Sequence, residues 1–173
     1  MSLKAKILVP TALFALIAGM SMAANAAPSA DVTLTGIITN TTCDVEVNNG
    51  QASLNVGVYK SGNFTVNTQQ GSVPLPVTLT DCADETGSLL IQGITASANP
   101  SKQLFTATTG DTVGFMIKTS DSAAQVAADE DIALDVTTAG PNTYTFNVGM
   151  GSTTLAPAPG GYSTPITVAY VVN

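Results

Sequence analysis

The chain has 173 residues, with five lysines, no arginine and no histidine against twelve acids, and a formal charge of −7. So few cations exclude nucleic acid as a partner, because clustered positive charge is what holds phosphate backbones. The missing histidine excludes Ser-His-Asp and Cys-His catalysis. No acidic pair stands in a motif for glycoside chemistry, so the chain reads as no enzyme, with no cofactor and no metal.

The chain opens with Lys4 and Lys6, an apolar run over residues 7–18 and small residues over 21–26. This is the pattern of a secretory signal peptide, too short for a membrane span. Cleavage after Ala26 fits the small-x-small rule, and cleavage after Ala23 also fits. Removal of residues 1–26 leaves 147 residues, one domain of ordinary size. Lys60, Lys102 and Lys118 then face all twelve acids, a balance of −9 that reads as solubility outside the cell. Cys43 and Cys82 in an exported chain read as one disulfide. The alternative, a metal or redox pair, lacks further ligands at close spacing.

Thr, Val, Ile and Ala abound, no helical period is sustained, and short alternating runs are punctuated by Gly, Asn and Pro, so the class is all-β, sandwich or barrel. Residues 32–42 are predicted as the first strand, with a break in register near Gly36. The Asn48-Asn49-Gly50 triplet is a turn, and Leu54, Val56 and Val58 alternate in a second strand. Residues 60–72 read as a loop. Leu75, Val77 and Leu79 form the apolar face of the next strand, whose Pro74 and Pro76 demand an edge or a bulge. Strands follow over residues 88–94 and 113–118, separated by a turn at Asn99-Pro100. Residues 120–135 read as a solvated loop with room for a helical turn, and the acids at 129–131 lack the spacing of a calcium loop. Tyr144, Phe146 and Val148 share one face of a strand over residues 143–150. From Gly160 to the end, Tyr162, Thr164, Ile166, Val168, Tyr170 and Val172 alternate on one face of a long final strand that needs a neighbour along its edge.

Four stretches carry a resemblance. They are Gly36-Ile-Ile-Thr-Asn40-Thr-Thr-Cys43, then Leu75-Pro-Val-Thr-Leu-Thr-Asp81-Cys82, then Val113-Gly114-Phe-Met-Ile117, and the C-terminus, where Gly160 stands fourteenth from the end before alternating apolar residues. In this order they resemble the chaperone-usher pilins, the type 1 fimbrial subunit family, over nearly the whole exported chain. The family's penultimate tyrosine is replaced by Val172, and Tyr170 lies two positions earlier on the same face.

The resemblance implies an incomplete immunoglobulin-like sandwich over residues 36–173 that lacks its last strand, with the C-terminal strand as one wall of a groove over the core. It implies that Gly160, Tyr162, Ile166, Val168, Tyr170 and Val172 meet a periplasmic chaperone and then another pilin subunit, with an outer-membrane usher assembling the fibre. Residues 27–35, with Ala30, Val32 and Leu34 on a thin apolar face, are the expected donor strand; a frayed terminus is the alternative reading. The expected function is a structural subunit of a fimbria that supports adhesion. The chain would pass through the periplasm to the cell surface. A minor or tip-associated adhesin binding a host receptor or glycan is the alternative, for which the chain has no room for a separate lectin domain and no Trp.

Overall fold

The computed structural model describes Gly36, Ile38 and residues 41–172. The expected signal peptide, the donor face at Ala30, Val32 and Leu34, and most of the expected first strand lie outside the described residues. Seven strands follow one another: β1 Asp44–Val47, β2 Gln70–Thr80, β3 Gly87–Gln92, β4 Val113–Lys118, β5 Ile132–Ala133, β6 Asn142–Ser152 and β7 Thr167–Val172. No α-helix occurs among the described residues. The strands lie in two antiparallel sheets, ordered β1-β2-β6-β4 and β5-β3-β7.

Alternation decides which side chains fill the space between the sheets. On β2, Leu75, Val77 and Leu79 turn inward and are buried, and on β6 Phe146 and Val148 do the same. Leu89 and Ile91 of β3 and Tyr170 of β7 meet them from the other sheet in one continuous core. Each fully buried apolar side chain of this size contributes about 1.5–3 kcal/mol relative to exposure. A smaller cluster of Ala96, Leu104 and Met116 packs on the opposite face of β4.

The prolines of β2 sit where missing donors cost nothing. β1 pairs only with Val77–Thr80, so Pro74 and Pro76 are paired on one side alone, with Asn147 and Thr145 of β6. The same strand bulges between Gln70 and Val73. Gly71 there has φ of +78°, a conformation that favours glycine, and a Cβ would fall 1.8 Å from the Tyr59 hydroxyl, which would have to move aside. The Asn48-Asn49-Gly50 turn forms as expected, with all three residues at positive φ and the Gln51 N–H donating to the Asn48 carbonyl at 3.0 Å.

Cys43 and Cys82 are joined in a disulfide at the base of the β1-β2 pair, with Cα atoms 4.2 Å apart. Beside it the Glu85 carboxylate accepts from the Thr41 hydroxyl at 2.8 Å, from the Thr42 hydroxyl at 3.0 Å and from the Thr42 N–H at 3.1 Å. The Thr42 hydroxyl in turn accepts from the Ala83 N–H.

The two sheets are joined through a short third segment. Phe105 and Phe115 of β4 exchange two backbone hydrogen bonds of 2.8 Å, while Thr106 N–H donates to the Ile94 carbonyl and Ala96 N–H to the Leu104 carbonyl. Residues 94–96 continue from β3, so pairing runs unbroken from β1 through β2, β6, β4, residue 105 and β3 to β7. Among the described residues, this curled path has two unpaired ends, β1 and β7.

Three expectations change. The final strand begins at Thr167 rather than Gly160, because its partner β3 ends at Gln92 and residues 160–166 have no ladder to join. The alternation at Leu54, Val56 and Val58 belongs to no strand; Val56 is buried, but Val58 is 99% exposed. Residues 120–135 form no helical turn, and instead supply β5 at Ile132–Ala133, paired with Ser88 and Leu89.

Candidate binding groove

Among the described residues, the sheet path has two free ends and the core is open between them. On one flank of that opening runs the segment that follows β1, residues 51–59, and on the other the segment that precedes β7, residues 160–166. Neither belongs to a ladder. Two cavities of about 560 and 550 Å3 lie end to end between them and share Leu54, Val56, Phe115 and Tyr162 in their lining. A third, of about 250 Å3, adjoins at Phe115 and Tyr162.

The first cavity has an apolar floor drawn from three strands of one sheet: Leu75 of β2, Phe115 and Ile117 of β4, and Val148 of β6. The second is floored by Val113, Phe115 and Met150 and closed at its far end by residues 157–161. No charged side chain lines either of these two. The far end is held by side chains: the Ser61 hydroxyl donates to the Pro157 carbonyl and the Tyr162 hydroxyl to the Ala158 carbonyl at 2.7 Å.

The residues singled out on the C-terminal segment divide in two. Ile166 and Val168 line the first cavity, Gly160 the second, and Tyr162 both. Tyr170 and Val172 line neither. Tyr170 is buried in the core, paired with Leu89, and its hydroxyl donates to the Leu134 carbonyl at 3.0 Å. Val172 pairs with Gly87. The opposite wall at residues 52–58 and the floor residue Phe115 were read from the sequence as parts of strands, not as residues of a groove. Phe115 was one apolar residue among several in a regular strand, and its half-burial beneath the opening depends on what fails to cover it.

Three acidic groups in the described residues are shifted by their surroundings. Burial, and then the charges of Glu85 and Asp135, push the Tyr170 phenol up. The Glu85 carboxyl is held down by the Thr42 N–H and by the hydroxyls of Thr41 and Thr42. The Asp121 carboxyl is held down by the Thr119 hydroxyl and the Ala123 N–H. All three lie away from the lining of the two main cavities.

No protein-family model matches the sequence, and no curated protein matches it. Solved structures do. The P pilus rod subunit PapA superposes with a TM-score of 0.62 at 14% identity, covering 76% of this chain and 99% of PapA. The chain has the pilin fold. A subunit from the structure of a chaperone-usher pilus, described for its rod uncoiling, superposes with a TM-score of 0.58 at 14% identity, over 86% of this chain and 98% of that one. The pilin sandwich is incomplete and immunoglobulin-like, and among the described residues the sheet path is open between β1 and β7.

Proposed function

We propose that the chain is a structural subunit of a bacterial surface fibre whose groove is filled by a strand from another molecule. The observation that carries this reading is the groove itself: an apolar, uncharged floor between two extended segments without ladder partners. Exposed apolar floor and free strand edges make the lone subunit prone to self-association. One extended strand laid between the walls removes both liabilities at once, with backbone bonds giving affinity and alternate side chains entering the cavities.

A periplasmic chaperone would lend such a strand first, and the N-terminal extension of another pilin subunit would replace it at an outer-membrane usher. The fibre then stands outside the cell, where adhesion is its outcome. The segment ahead of the first strand fits the task by length. Residues 27–35 number nine, as do residues 160–168 along the wall, and nine extended residues span about 30 Å. Ala30, Val32 and Leu34 would face the floor, while Tyr162, Ile166 and Val168 would flank the guest.

The test uses the exported chain from Ala27 to Asn173 and a synthetic peptide of residues 27–38. Alone, the chain is expected to self-associate in sedimentation. With the peptide it is expected to become monomeric, to melt at higher temperature and to gain amide protection at residues 160–168. A monomer whose melting and exchange ignore the peptide overturns the proposal.

A further inference from the structure

The groove is apolar along its floor, yet one hydroxyl beside it has no partner. Thr164 lines the first cavity between Tyr162 and Ile166. Its Oγ1 is shut off from solvent and makes no hydrogen bond, the one buried side-chain polar atom among the described residues of which this holds. Nothing on the facing wall answers it: the Asn48 amide there is spent on the carbonyls of Gln51 and Ser53. A buried hydroxyl without a partner is costly, and is not kept without a reason.

We infer that Thr164 sets the specificity of the groove for the strand it accepts, by requiring a serine or threonine at the position opposite. The inference rests on the groove being a strand acceptor. Thr164 shares the alternation of Ile166 and Val168, both of which line the same cavity. A strand added along this wall places one inward residue directly across from Thr164, with Cβ atoms about 4.5–5.5 Å apart, the separation at which cross-strand Thr–Thr and Thr–Ser pairs hydrogen-bond. Rotation about χ1 then turns Oγ1 toward the guest. The preferred guest is an uncharged extended segment whose apolar face is interrupted once by a hydroxyl. A purely apolar guest leaves Oγ1 as it is in the empty groove.

The experiment measures affinities of peptides of residues 27–38 in which each inward position, 30, 32, 34, 36 and 38, carries either Val or Thr. Each set is measured against the exported chain and against Thr164→Val, which swaps the hydroxyl for a methyl of the same shape. The wild type is expected to favour Thr over Val at one position by about tenfold, and Thr164→Val to lose or reverse that preference. The variant should also melt higher than wild type when empty, so that stability and hydroxyl selectivity move in opposite senses. Identical Val and Thr profiles for the two proteins overturn the role of Thr164 while leaving the groove intact. Binding of no peptide by either protein overturns the groove reading, and this inference with it.

Discussion

Removing the disulfide should cost the chain about 4 kcal/mol. Cys43 and Cys82 are 39 residues apart in sequence, and closing a loop of that length removes unfolded-state entropy worth about 4 kcal/mol on the chain-entropy account. The threonine bonds to Glu85 tie the same two segments, but they exist only in the native state and cannot shrink the unfolded ensemble. They therefore offer no substitute, and Cys43→Ala with Cys82→Ala should show the whole loss. The sequence has no Trp, so the assay is urea unfolding followed by far-ultraviolet circular dichroism, with the strand peptide at saturation to suppress association. With a slope of about 1.5 kcal/mol per molar urea, the midpoint should fall by about 2–3 M. A fall below about 0.5 M refutes the reasoning, because it means that the unfolded chain is already confined without the bridge.

Tyr170→Phe should cost about 1 kcal/mol through the lost bond to the Leu134 carbonyl. Because the phenol's pKa is raised in the native state above its ordinary 10, that stabilisation is complete below pH 10 and is lost as pH rises beyond it. Melting curves between pH 8 and 11 should show the decline in wild type and a weaker one in the Phe variant. Glu85→Gln tests the opposite sign: a carboxyl held below its ordinary 4.5 contributes stability that is present above that pH and is lost as pH falls through its native value. The variant should therefore be flatter than wild type between pH 5 and 3, with Asp121 supplying part of the slope that remains. Gly114→Ala places a Cβ 2.0 Å from the Phe105 carbonyl, and should destabilise by about 1–3 kcal/mol, with hydrogen exchange accelerating first at the amides of Phe105 and Phe115.

The strands β2, β3, β4 and β6 were legible from alternation, whereas β1 at Asp44–Val47 was not read as a strand and β5 lay in a stretch read as a solvated loop. Leu75, Val77 and Leu79 turn inward as read, β4 has the bounds expected of it, and Pro74 and Pro76 stand at a one-sided stretch beside a bulge. Alternation records which side chains face the core, and says nothing about whether the backbone between them finds a partner. That is why Leu54, Val56 and Val58, and the run from Gly160, were read as strands: Leu54, Val56, Thr164 and Ile166 are at least partly buried, but among the described residues no strand pairs with 51–59 or 160–166. The join at Phe105 was invisible for the reverse reason. One buried aromatic amid Gln103, Thr106 and Thr108 carries no period, although its backbone links both sheets. The Glu85 bonds likewise join residues more than forty apart in sequence, which no local pattern can show.

The curled path from β1 to β7 has a mechanical consequence. A guest strand in the opening would convert it into a closed ring, with rows of bonds on both flanks of the guest running across its axis. Tension drawn along the guest then loads those rows in shear, so that many bonds must yield together. Peeling would break them singly and at lower force. Because the join at Phe105 holds the sheets together on the far side, the load cannot be relieved by the two sheets swinging apart there, and a fibre of such links resists extension up to the collective strength of its ladders.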